Sequence, residues 1–169
     1  MPNKTGRGYV KIIAAYPEAF VNKNTPTVAE LNNTTYVKDI SCAVSDDYTL
    51  GMVDSDTDNT QSVCDIQAIE TPTFYNYEAS LDGFNDLDIA ATGVYNLFRD
   101  LFSTNNNNFI LGLRIGQPQA AAFDTSSIVS LFQVKTDYPA DIDAAGAPLA
   151  IGARFKPQGW ALPEYKVAS

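Results

Sequence analysis

Apolar residues recur at every second position along most of the chain, and that period most narrows the folds open to it. Val10, Ile12, Ala14 and Tyr16 alternate with other residues as far as Pro17. Ile40, Cys42 and Val44 share a parity that Tyr48, Leu50 and Met52 continue, while Asp39, Ser41, Ser45, Asp47 and Thr49 take the other. Tyr75, Tyr77, Ala79 and Leu81 alternate with Asn76, Glu78, Ser80 and Asp82. Three more sets follow: Phe109, Leu111, Leu113 and Ile115; Ile128, Ser130, Phe132 and Val134; Leu149, Ile151, Ala153 and Phe155. A strand turns successive side chains to opposite faces, so these runs read as antiparallel strands with one face on a core and one on solvent or a partner.

One segment departs from that period. From Asp88 to Phe102 the apolar set is Ala90, Ala91, Val94, Leu97, Phe98, Leu101 and Phe102, which is helical spacing, with Asp86 or Asp88 available as N-cap. The asparagines that follow, up to residue 108, suit a turn because Asn tolerates left-handed backbone. The expectation is a mainly β domain, a β-sandwich or open barrel, with one flanking α-helix over about 88–103. Its predicted core is Ile40, Val44, Tyr75, Tyr77, Leu81, Val94, Leu97, Phe98, Leu101, Leu111, Leu113, Ile128, Phe132, Ile151 and Phe155. At 169 residues, one domain over 1–169 is expected, without repeat or linker. Residues 1–25 form an N-terminal arm and first strand. Residues 158–169 form a C-terminal arm whose Trp160, Leu162, Tyr165 and Val167 must rest on some surface, its own or a neighbour's.

Charge and residue types exclude several functions. The formal net charge is −9, and between Lys38 and Arg99 there is no Lys or Arg but twelve Asp and Glu. Conventional DNA binding sets Lys and Arg against phosphates, and an acidic surface repels them within a Debye length of about 8 Å at physiological salt. There is no histidine, which removes the commonest general base, the Ser-His-Asp arrangement and the best zinc ligand. Neither a phosphate-cradling Gly-Lys-Ser/Thr run nor a dinucleotide G-x-G-x-x-G run occurs. No enzymatic activity and no cofactor are expected. No apolar run approaches the ~20 residues of a membrane span, and no signal-peptide pattern opens the chain, so it is expected to remain first in the compartment that made it.

The acidic stretch "VSDDYTLGMVDSDTDNTQSVCD" at 44–65 poses the functional question. Asp54, Asp56, Asp58 and Asp65 fall at positions 1, 3, 5 and 12 of a calcium-loop pattern. Asn59 stands where that loop's turn wants Gly, Gln61 where an apolar residue packs, and the flanks read as strand. The competing reading is a long loop, 46–72, that meets another protein through Tyr48, Leu50, Met52 and Ile66, with Asp54, Asp56 and Asp58 keeping its tip soluble. Cys42 and Cys64 lie symmetrically about residue 53, open to either a cross-hairpin bridge or two buried thiols.

The order of "PTVAELN" at 26–32, "DISC" at 39–42, "DYTLG" at 47–51, "SVCD" at 62–65, "TFYNYEASL" at 73–81 and "AATGVYNLFRDLF" at 90–102 resembles the major tail tube proteins of long-tailed (siphovirus-type) bacteriophages. It is most like those of phages infecting actinobacteria. That resemblance implies two packed antiparallel sheets with one flanking helix, assembling with itself as six-membered rings stacked into a tube. It implies a virion protein made in the host bacterial cytoplasm, with tape-measure, tail-terminator and tail-tip proteins as partners and no membrane insertion. Double-stranded DNA would pass through an acidic lumen without specific binding, with Asp39, Glu78 and Asp82 as lumen-facing candidates. Residues 46–72 match the loop that reaches an adjacent ring. Alternative functions are a secretion-system tube and a calcium-binding or adhesive surface β-sandwich.

Overall fold

The computed structural model describes residues 8–58, 71–86, 88, 90, 92–142 and 150–169, with backbone alone for 71–74 and 141–142. Its strands are β1 (Val10–Ala15), β2 (Val37–Asp39), β3 (Thr49–Asp58), β4 (Thr71–Phe84), β5 (Asn108–Ile115), β6 (Ile128–Thr136), β7 (Ala140–Ile142) and β8 (Ala150–Lys166). Among the described residues two α-helices accompany them, the one-turn α1 (Val28–Leu31) and α2 (Val94–Phe102), with a 3-10 turn at Pro17–Ala19. All observed strand pairs are antiparallel, in the order β2-β1-β5-β6-β8-β4-β3, with β7 hung on β8.

This overturns the expectation of two packed sheets, sandwich or barrel: the strands form one continuous, open sheet. The reason lies in β8, whose 17 residues serve two neighbours in turn. Ala150–Arg154 pair with β4, and Phe155–Lys166 pair with β6. The pairing slips twice along the second half, and there Gly159 (φ 72°) and Glu164 (φ 49°) adopt left-handed backbone. Tyr77 of β4 ties the bend: its hydroxyl donates to the Gln133 carbonyl on β6 and accepts from the Gln158 amide of β8 at 2.7 Å. The residues expected as a C-terminal arm resting on its own or a neighbour's surface are largely strand.

The curved sheet encloses a core shared by both halves. Ile12, Leu81, Phe98, Phe102, Leu111, Phe132, Ile151 and Phe155 are buried together, and the Phe102 ring meets Phe98, Phe109 and Phe155 edge-on at 5.0, 5.3 and 5.1 Å. Of the predicted core, Val44, Val94, Leu97 and Leu113 pack at its margin, whereas Tyr75 and Ile128 are exposed. The half-buried pattern fails on β1, β5 and β6, where both faces are covered. A second cluster holds Ile13, Ala15, Leu31, Val37, Ile110, Phe123, Val129, Leu131 and Val167. It is roofed by α1, whose Thr27–Glu30 capping box fixes its start.

Two boundaries move for local reasons. α2 begins at Val94 rather than near 88, because Asp86 and Asp88 accept amides two residues on (Asp88 and Ala90) at 3.0 Å and turn the chain before Gly93 enters the helix in extended backbone. The strand expected through Ile40, Cys42 and Val44 is a turn. Asp39 accepts the Ser41 amide at 3.0 Å, and the Ser41 hydroxyl in turn accepts the Ile12 amide at 2.9 Å. At the end of α2, Asn106 takes φ 65°, the left-handed turn expected of the asparagine run.

Candidate assembly surface

The β3–β4 hairpin carries the features a contact surface needs. Near its root, Leu50 pairs with Ala79, and both are buried with Tyr77 in the main core. Further out the same parity leaves the core: Met52, opposite Tyr77, is 41% exposed and Tyr75 is 76% exposed. Alternation encodes which face a residue occupies and not how far along the strand the core extends, so Tyr75 reads as core from sequence. Met52, Tyr75 and Tyr77 border a cleft of ≈ 370 Å³ whose other wall is Gly159, Trp160, Ala161 and Pro163 of β8. A second cleft of ≈ 440 Å³ lies at the hairpin root among Val10, Ile12, Cys42, Val44, Tyr48 and Phe84.

β3 is also the end of the sheet, and among the described residues its outer edge has no strand partner. A ten-residue edge offers backbone N–H and C=O groups on which another chain can pair. Of the residues expected in a loop, Thr49–Asp58 are strand, paired from Thr49↔Ser80 to Asp58↔Thr71. That pairing is not centred on residue 53, and Cys42 is exposed in the turn before β3. Cys64, Asp65 and Ile66 lie outside the described residues.

The carboxylates differ in how they are matched. Asp39 bridges Lys11 at 3.2 Å and accepts from Gln119 at 2.9 Å. Asp82 bridges Arg154 of β8 at 2.6 Å, and Arg154 also donates to Ser80 at 2.9 Å. Glu78 is exposed, with Gly51 opposite it on β3 and no salt bridge among the described residues. Asn76, Glu78, Ser80 and Asp82 together form the polar face of β4. Asp54, Asp56 and Asp58 are exposed on β3, next to shifts in its register. They sit in extended backbone rather than in a loop between helices, and no three His, Cys, Asp or Glu side chains are grouped to hold an ion among the described residues.

The C-terminal apolar residues rest on the chain itself. Trp160 donates through Nε1 to Asn24 at 2.8 Å, Leu162 pairs opposite Leu131 and Tyr165 opposite Val129, and Val167 is buried. Sequence reasoning missed the residues that stiffen this end. Buried Arg114 donates to the carbonyls of Pro118, Ala121 and Ala122, fixing the loop between β5 and β6. Burial pulls its pKa down, against the nearby charges of Asp124 and Asp39. In the same loop, hydrogen bonds from Ser126, Gln117 and Ser127 hold the Asp124 carboxyl at about 2, below its ordinary 3.8. An arginine one step before a turn carries no period-2 signal that would announce such a role.

An open sheet whose β3 edge has no strand partner among the described residues, with an exposed apolar hairpin beside it, suits a building block. No curated protein matches the chain. Over residues 1–169 it matches the family described as phage tail tube protein, and it belongs to that family: a structural, non-enzymatic component of the phage tail.

Proposed function

We propose that this chain is the major tail tube protein of a long-tailed, siphovirus-type phage, most like those of actinobacterial hosts. Six copies close into a ring, and rings stack into the conduit for double-stranded DNA. The observation that carries this reading is the ten-residue edge of β3, which has no strand partner among the described residues and extends past the core with Met52 and Tyr75 exposed beside it. Closing that edge on a neighbour satisfies the open backbone groups and covers the apolar residues in one step. Residues 46–72, with Tyr48, Met52, Asp54, Asp56, Asp58 and Ile66, supply the contact to the adjacent ring, while Leu50, expected there from the sequence, is buried in the subunit's own core. The polar face of β4 lines the lumen.

Matching of Asp39 by Lys11 and of Asp82 by Arg154 leaves Glu78 as the main source of repulsion toward phosphates among the three lumen candidates. The chain is made in the host cytoplasm and ends in the virion tail, where tape-measure, terminator and tip proteins meet the tube. Negative-stain microscopy of concentrated pure protein tests the reading. Six-fold rings and stacked tubes support it, and a protein that stays a monodisperse monomer at every concentration refutes it.

A further inference from the structure

Lys135 of β6 and Lys156 of β8 are direct cross-strand neighbours. Like charges placed so destabilise an antiparallel pair unless an opposite charge is supplied. A third ammonium joins them. Gln133 lies two residues before Lys135 on the same face of β6, and its side chain accepts from Lys23 Nζ at 2.9 Å. The Lys23 ammonium also sits 4.9 Å from the centre of the Trp160 ring. Within this group the matching acid is Asp137, which bridges Lys156 at 3.1 Å. Three positive charges against one leave the patch at +2 on a chain whose net charge is −9. The patch lies past Arg154, where β8 leaves β4 for β6, and so beyond the polar face of β4.

We infer that this patch is the seat for the acidic segment Asp54–Asp58 of a second copy of the chain. The inference rests on the stacking role proposed for the hairpin and names the surface that receives it. Complementarity of charge selects the occupant. Asp54, Asp56 and Asp58 are all exposed, on the edge strand, within a stretch from 39 to 98 that contains no Lys or Arg. Spacing agrees: carboxylates two residues apart on a strand lie ~7 Å from one another, within reach of lysines whose Cα atoms are ~5 Å apart across a ladder. Docking would supply negative charge for the positive charge that Asp137 alone leaves unmatched. Register and partner choice are what such rim charges set, and the contact weakens with salt.

Charge exchange tests this on the full chain. Lys135→Glu with Lys156→Glu should raise the concentration needed for tubes by at least about tenfold, and Asp54→Lys, Asp56→Lys with Asp58→Lys should do the same. An equimolar mixture of the two variants should assemble, because each then meets its complement on the other. Melting of each variant's monomer identifies any that fail to fold, for which Lys135→Gln with Lys156→Gln and a salt series on the wild type replace it. Tubes at the wild-type concentration from either reversed protein would overturn the inference. So would a mixture that fails while one chain carrying all five changes assembles, since the pairing would then lie within a chain. Loss of short-oligonucleotide binding by the lysine variant with unchanged assembly would assign the patch to nucleic acid instead. Carbodiimide cross-linking of mixed ¹⁴N and ¹⁵N protein gives a readout that does not need tubes. Mixed-isotope links from Lys135 or Lys156 to Asp54, Asp56 or Asp58 are expected. Their absence overturns the seat, whereas absence of rings with the links present overturns only the tube.

Discussion

Replacing Gly83 by Ala tests how the helix is held against the sheet. Gly83 lies on β4 beneath α2, and its backbone is not left-handed, so alanine costs nothing in conformation there. A β-carbon at that position would stand 2.5 Å from Cδ1 and 2.7 Å from Cζ of Phe98. Carbon atoms sit comfortably at about 3.5–4.0 Å, so the ring must retreat by roughly 1 Å. It has little room to do so, being fully buried and edge-on to Phe102 at 5.0 Å. Overpacking of this kind costs about 1–3 kcal/mol. Phe98→Ala, which empties the same space, should cost about 3–5 kcal/mol. Because each change answers the other's defect, the double variant should lose less than the sum, with a coupling of about 1–2 kcal/mol. Urea unfolding of the monomer measures all four corners of the cycle. A Gly83→Ala loss under half a kcal/mol, or strict additivity, would show that α2 does not bear on β4 as described.

Tyr75→Ala removes an exposed ring and should change monomer stability by less than about 0.5 kcal/mol, yet it should impair tube formation seen by microscopy; unimpaired tubes would remove Tyr75 from the contact. Glu78→Gln should leave tubes intact and slow DNA ejection from virions, with the slowing relieved by salt, and unchanged ejection counts against an electrostatic lumen. Asp124 titrates at about 2 when folded, below its ordinary 3.8, so the stability it confers is present above pH 4 and is lost as pH falls toward about 2. Acid unfolding should show the advantage of wild type over Asp124→Asn shrinking through that window; a constant difference would contradict the hydrogen-bonded carboxylate.

Most of the strands were legible in the sequence because burial on at least one face imposes a period of two on residues such as Tyr77, Ala79 and Leu81. What the period could not convey was sheet order. The same alternation in Ile151, Ala153 and Phe155 fits a strand of either sheet of a sandwich, and here it belongs to the one strand that joins both halves. Nor could it reveal the second core, since Ile110, Val129 and Leu131 fall on the parity that the reading assigned to solvent. The covering elements explain that miss: α1 is four residues long and has no periodic signature. On the assembly surface, the apolar parity of the hairpin was readable. Its exposure was not, because the core ends between Tyr77 and Tyr75 for reasons of tertiary packing. The lysine patch was invisible for a related reason. Lys135 and Lys156 meet only through the pairing of β6 with β8, and Lys23 joins them from the segment before α1 through Gln133 and Trp160.

Hydrogen exchange compared between monomer and tube tests the central claim most directly. In the monomer, amides of Thr49–Asp58 that point away from β4 should exchange rapidly, while those of β5 and β6 are protected. In the tube the β3 amides should become protected as well, because a neighbouring chain closes the edge. Tubes in which the outward β3 amides exchange as fast as in the monomer would contradict the account.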